Sequence, residues 1–256
     1  MSDTSTGTLG KLVTLLELIS VSQQPLRFVD VVKASKQPRG TVHRQLAHLL
    51  AEGLIEQLPD QTYVPGLRLL SFATKAWERN DLRSIARPYL AQLNELTGEA
   101  VHLAVLRGSE VTYLDKLEAR QNLRMHSHIG NRSPAYCTGV GKAALSLLSD
   151  EEISNRLCNV EFYKFTPTTI TTLETLLVNI AEIRERGFAY DLEEHEEGIC
   201  CVAAPLVNLD NRQLAAISVT GPAYRVSQNI LDRWGPMVTL AAKNISESMR
   251  SGLHPK

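Results

Sequence analysis

Apolar residues recur with a helical period through the first eighty positions. In "GTLGKLVTLLELISVSQQP", Leu9, Leu12, Val13, Leu15, Leu16 and Ile19 fall on one stripe and Pro25 closes the run, which predicts a helix over about 8–21. "LRFVDVVKASKQP" predicts a short second helix around Phe28, Val29, Val32 and Ala34. It must stop before Pro38, because proline disfavours helical geometry in the residue ahead of it. Pro38 suits the first turn of a third helix, with Val42, Leu46, Leu49 and Leu50 on one face. The opposite face is assigned Arg39, Thr41, His43, Arg44 and Gln45. "GLIEQLPDQTYVPG" then supplies two short strands, 54–58 and 62–64, around the turn residues Pro59 and Asp60. Three helices, the third basic and polar at its start, followed by a hairpin, form the pattern of a winged helix-turn-helix. An ordinary three-helix bundle with a solvated charged face is the bland alternative.

Two helices are predicted next, over about 66–79 and 81–97, the second interrupted or started near Pro88 and capped by Gly98. Leu67, Leu69, Leu70, Phe72, Ala73 and Trp77 make the first unusually apolar for a linker, which points to a homodimer contact or to burial within one subunit. From position 100 the period changes from helical to alternating. "AVHLAVLRGSEVTYLDKLEA" reads as two strands about the turn Arg107-Gly108-Ser109, and "LRMHSHIG" as a third. A helix from about 139 follows, then another over about 172–186 ending at Gly187. "GFAYDLE", "CCVAAPLVN" and "QLAAISVTG" are strands, and a last helix spans about 227–250. The expected fold class is α+β, with helices beside an antiparallel sheet.

Composition alters this picture mainly through its distribution. The chain has 256 residues, 43% of them apolar, and a formal net charge of −1. Within residues 25–50, however, Arg27, Lys33, Lys36, Arg39 and Arg44 face the single acid Asp30, while residues 81–256 carry 18 basic and 21 acidic side chains. An anion-facing N-terminal module on a body with another task is the reading. Cys137, Cys158, Cys200 and Cys201 form no C-x-x-C pair, as expected for reduced thiols. The start "MSDTSTGTLGKL" lacks the features of a signal peptide, and no apolar run suits a membrane span, so a soluble cytoplasmic protein without membrane partners is expected.

The turn "TGVGKAALS" resembles a phosphate loop only superficially. Ala143 follows Gly141-Lys142 where a Walker loop needs a hydroxyl, and Tyr136 stands where its first glycine should be. What remains is a small-residue turn whose amides can face an anion, with Thr138 as helix cap and Lys142 directed away from the ligand. His126, His128, His195 and the cysteines offer a zinc site only on paper, since no metal spacing or Ser-His-Asp set accompanies them. No metal, cofactor or catalytic residue is therefore assigned. The run "EEHEEG" is read as a solvated or inter-subunit acidic face.

"PRGTVHRQLAHLLAEGLIEQ", "TGVGKAALS", "RGFAYDLEEHEEGICCVAAPL" and "AAISVTGP", in this order over nearly the whole chain, resemble the IclR family of bacterial transcription regulators. Within it, "TGEAVHLAVL", "NLRMHSHIGNRSPAYCTGVGKA" and "EEHEEGICCVAAP" look most like the regulators of 2-keto-3-deoxygluconate metabolism. The resemblance implies a winged helix-turn-helix over 1–66, a linker helix over 67–80 and a GAF-like effector domain over 81–256. It also implies a homodimer or dimer of dimers on a palindromic operator in double-stranded DNA, and small keto-acid effectors. Carried over, the DNA-binding residues are Arg39, Gly40, Thr41, His43, Arg44 and Gln45. The effector would meet the amides of Gly139 and Val140, the main chain of Ile199, and Asp191, Cys201, Ser218 and Thr220, with Arg124 and Met125 at the mouth. Two departures stand out: Gly40 replaces the usual hydroxyl residue before the recognition-helix threonine, and Thr220 stands where serine is common.

Overall fold

The computed structural model describes residues 7–78, 81–121, 127–207 and 213–251, in two compact units, Met1–Asn80 and Asp81–Lys256. In the first unit α1 (Gly7–Val21), α2 (Phe28–Ser35) and α3 (Arg39–Ala51) enclose a small core of Leu15, Ile19, Val31, Val42, Leu46 and Leu49. The strands β2 (Ile55–Gln57) and β3 (Thr62–Pro65) form the wing. A two-residue strand, β1 (Leu26–Arg27), pairs with β3 and gives the order β1-β3-β2. It is too short for its periodicity to register in the sequence. Asp60 accepts from the amide and hydroxyl of Thr62, which closes the wing turn. Helix α4 (Arg68–Glu78) follows, with Leu67, Leu70 and Phe72 exposed at 70%, 62% and 54%. Burial of these side chains within their own unit is thus ruled out; the side chain of Trp77 lies outside the described residues.

The second unit is a three-layer sandwich about a six-stranded antiparallel sheet in the order β6-β5-β4-β9-β8-β7. Its strands are β4 (Ala100–Arg107), β5 (Glu110–Leu117), β6 (Arg132–Pro134), β7 (Ala189–Leu192), β8 (Ile199–Leu206) and β9 (Ala215–Pro222). Strand alternation divides β4, β8 and β9 between two cores. Val101, Leu103, Val105, Val202, Ala204, Ile217 and Val219 meet α5 (Asp81–Thr97) and α9 (Gln228–Ser251). Ala104, Ala203 and Ala216 face the other way, toward α6 (Gly139–Leu145) and α8 (Leu173–Arg186). Helix α5 runs unbroken through Pro88, because Leu82, Ile85, Ala86, Leu90 and Leu93 are all buried and their packing outweighs one missing backbone bond. Arg87 donates to the fully buried Asp115 at 2.6 Å, tying this helix to β5.

Two expectations need correction. Of the proposed strand in "LRMHSHIG", residues 123–126 lie outside the described residues and 127–130 are loop and turn; the next strand is Arg132–Pro134, where Val111 and Thr112 of β5 offer partners. A further helix, α7 (Asp150–Leu157), was not read from the sequence although its signal is there. Ser149 and Glu152 form a reciprocal capping box, Ser149 Oγ accepting from the Glu152 amide and the Glu152 carboxylate accepting from the Ser149 amide.

Gly66, between β3 and α4, tolerates no larger residue. A Cβ there would lie 2.2 Å from the carbonyl oxygen of Gly53, a backbone atom that cannot swing away. Gly66→Ala should therefore destabilise the first unit by about 1–3 kcal/mol, measured as a lower urea midpoint for its unfolding.

Candidate functional site

The second unit holds a cavity of about 200 Å³ between α6 and the sheet. That is room for a small acid and falls short of a typical drug or dinucleotide site. Strand register builds it. Asp191 pairs with Cys201, Cys201 with Thr220, and Ser218 with His102, so four neighbouring strands present these side chains side by side on one face. The small residues of the turn let α6 come down onto that face. A Cβ on Gly139 would lie 2.3 Å from Cys201 Sγ, and one on Gly141 would lie 2.4 Å from the Ala135 backbone. Gly139 and Val140, whose amides open α6, line the cavity with Asp191, Ile199, Cys201, Ser218 and Thr220. The structure thus brings together seven of the nine residues expected around an effector; Arg124 and Met125, like His126, lie outside the described residues.

The cavity contains more than the motifs indicated. His102, Tyr113, Ser127, Asn131, Arg132, Ser133, His195 and Glu196 also line it. Only His102 had a local signal, being the polar interruption in the strand "AVHLAVL". Its ring is buried, its Nε2 lies 2.9 Å from Ser127 Oγ, and its Nδ1 lies 3.4 Å from each of the Ser218 and Thr220 hydroxyls. Burial, aided by the charge of Lys116, lowers its pKa to about 3, so the ring is neutral near pH 7. Exposed Asn131 and Arg132 lie toward the open side.

Around the turn the structure corrects two expectations. Lys142 is fully buried and pairs with Glu194, itself 7% exposed, so "EEHEEG" is not simply a solvated face. The loop is held by threonines: Thr166 and Thr168 donate to the Glu193 carbonyl and Thr169 to that of Glu194, while Glu193 adopts a left-handed φ of 61°. Thr138 occupies the N-cap position of α6 but does not cap it; its hydroxyl donates instead to the Pro134 carbonyl at 2.8 Å. Asp191 accepts from the Glu194 amide at 2.8 Å. Burial, with the nearby Glu194 carboxylate, raises its pKa to about 7, so near neutral pH a large share carries a proton that it can donate.

In the first unit α3 carries Arg39, His43 and Arg44. Arg39, Gly40, His43 and Arg44 are exposed and Thr41 is half-buried. Arg39 lies over the Phe28 ring at 4.8 Å and His43 meets the same ring edge-on at 6.0 Å, which organises this end of the helix. A Cβ on Gly40 would meet nothing within 4 Å, so its want of a side chain answers no steric demand. Gln45 departs from expectation: it is 4% exposed and its Oε1 has no hydrogen-bond partner among the described residues. The inward stripe of α3 takes in both 45 and 46, which turns Gln45 away from the polar face.

A winged helix-turn-helix in one unit and a small-ligand cavity in the other define a DNA-binding transcription regulator with a ligand-binding domain. The chain matches the IclR helix-turn-helix domain over residues 8–59 and the model described as bacterial transcriptional regulator IclR C-terminal over residues 74–247. It belongs to the IclR family of transcriptional regulators, and is not an enzyme. It is 34% identical to the transcriptional regulator KdgR of Escherichia coli K12 over 212 residues, 82% of this chain and 81% of that protein. It is 30% identical to the regulator XynR of the same organism over 236 residues, 92% and 94% of the two chains. The crystal structure of the Thermotoga maritima IclR superposes with a TM-score of 0.76 at 29% identity, covering 94% of this chain and 98% of that one. Among the described residues there is no group of three or more His, Cys, Asp or Glu side chains able to hold a metal, and no helix long and apolar enough to cross a membrane.

The raised Asp191 predicts a pH dependence. An unfolded aspartate ionises near 3.8 and the folded one near 7, so between those values the folded chain holds more protons and stability falls as pH rises. Asp191→Asn removes this contribution. In thermal melts its Tm relative to the unsubstituted protein should rise from about pH 4 to about pH 7.

Proposed function

We propose that this regulator is a homodimeric cytoplasmic repressor that leaves a palindromic operator when a small keto acid, such as 2-keto-3-deoxygluconate, occupies the cavity between α6 and the sheet. The observation that supports it best is the convergence of the α6 amides, two hydroxyls and a protonatable carboxyl around one small space. Amides and hydroxyls are donors suited to an anion, and a carboxylate needs several of them when it leaves water. The Asp191 carboxyl can donate to an acid group when protonated or accept from a sugar hydroxyl when ionised. The motifs shared with regulators of 2-keto-3-deoxygluconate metabolism favour that effector over a shorter acid.

On the DNA side, Arg39 and Arg44 would reach bases or phosphates, with Thr41 and His43 beside them and the Gly40 backbone close to the duplex. Gln45 is assigned a supporting position under the helix in place of its expected DNA contact, as its burial requires. The exposed Leu67, Leu70 and Phe72 would pack against a second copy, a symmetry that suits a palindrome. The ligand must prefer one arrangement of the paired DNA-binding units, since only differential affinity moves that equilibrium.

Replacing Arg44 by alanine should weaken operator binding by about 1–3 kcal/mol in a gel-shift or anisotropy titration, and unchanged affinity would remove Arg44 from the interface. For the cavity, calorimetric titration with 2-keto-3-deoxygluconate, pyruvate and glyoxylate should give heat with at least the first. Absence of heat with all three would refute a keto-acid effector. Ser218→Ala and Gly139→Ala should each weaken the measured affinity, the first by removing a donor and the second by driving a methyl group into Cys201.

A further inference from the structure

His102 sits behind the cavity hydroxyls in an arrangement that ordinary packing does not require. Its Nδ1 is 3.4 Å from Ser218 Oγ and 3.4 Å from Thr220 Oγ1, and those two oxygens are 3.4 Å from each other. On the far side of the ring, Nε2 is 2.9 Å from Ser127 Oγ. Ser127 is held in turn through its carbonyl, which accepts from Lys116 Nζ at 2.8 Å, and Lys116 also pairs with Glu118 at 3.0 Å. One ring therefore touches three hydroxyls, two from β9 and one from the segment after β5.

A neutral imidazole has one N–H and one bare nitrogen, and the two tautomers treat these hydroxyls in opposite ways. With the proton on Nε2, the ring donates to Ser127 and its bare Nδ1 accepts a proton from Ser218 or Thr220. That hydroxyl is then lost to the cavity as a donor. With the proton on Nδ1, the ring donates to the β9 oxygens, both hydroxyl protons can turn into the cavity, and Ser127 must donate to Nε2. A carboxylate accepts and cannot donate, so it favours the second arrangement. Burial beside a lysine keeps the ring from carrying both protons, which makes the choice exclusive.

We infer that His102 is a positioning residue of the effector site: its tautomer sets whether Ser218 and Thr220 present donors to an anion, and an acidic effector, by fixing that tautomer, turns the Ser127 hydroxyl back toward the ring. The inference rests on the effector reading above. It makes selection for an acid over a neutral sugar a property of a group that need not touch the ligand, and it ties occupancy to the segment beyond β5.

The test uses the full chain labelled with ¹⁵N-histidine, the His102 resonances being assigned by their loss in His102→Asn. Long-range ¹H–¹⁵N spectra distinguish bare from protonated ring nitrogens. In the free protein a population with bare Nδ1 is expected, and saturation with 2-keto-3-deoxygluconate should convert it to the Nδ1-protonated form. In the same spectra, Ser127→Ala, which removes the acceptor that holds the proton on Nε2, should enlarge the Nδ1-protonated population of the free protein, and Ser127→Thr should restore the unsubstituted ratio. Heat of binding with an unmoved His102 spectrum overturns the relay alone, as does a free Ser127→Ala protein with the unsubstituted tautomer ratio. No heat from the unsubstituted protein overturns the effector reading and the relay with it.

Discussion

The approach of a short helix to the face of a sheet is the constraint on which the second unit depends. Helix α6 is buried along its whole length and meets β8 so closely that a single methyl group on Gly139 would overlap the Cys201 sulfur. Gly141 allows the same intimacy with the Ala135 backbone, and Ala203 and Ala216 keep the sheet surface low beneath the helix. Elsewhere on this face larger side chains fill the gap between sheet and helices. Where the small residues run out and polar ones begin, the space becomes a cavity lined by the first residues of α6.

That geometry imposes an electrostatic cost that the protein meets locally. Lys142 lies one turn into a helix with no exposed side, and its charge is compensated by Glu194 from the loop after β7. The loop reaches that position because three threonine hydroxyls take up its carbonyls and Glu193 accepts a left-handed backbone. Asp191, close to the same carboxylate and removed from water, is left near its midpoint at neutral pH. The buried pair is thus a support for the cavity floor and the source of its responsive acid.

Much of this was legible along the chain. The helical stripes of α1, α8 and α9, the change of period near position 100, and the basic cluster over residues 27–44 are local properties, since side-chain spacing and charge along a short stretch decide them. The convergence of Gly139, Val140, Ser218 and Thr220 on one cavity was also legible, through motifs whose order matches a family. The two-residue β1 was not, because it exists only through its pairing with β3. Helix α7 could have been found from its Ser149-x-x-Glu152 box, a start signal that the small size of the helix concealed.

The sequence by itself determined the kinds of element, their order and the chemistry available at each position, because these follow from spacing and residue type. Burial was decided by tertiary structure. Gln45 was assigned to the DNA-facing side and lies inside; "EEHEEG" was read as a solvated or inter-subunit face, yet Glu194 is buried against Lys142 of α6. His102 and Ser127 are 25 residues apart, and His102 meets Ser218 across 116. No local pattern reports such contacts, since a side chain's partners, and with them its protonation, are set by whichever distant strand the register brings alongside.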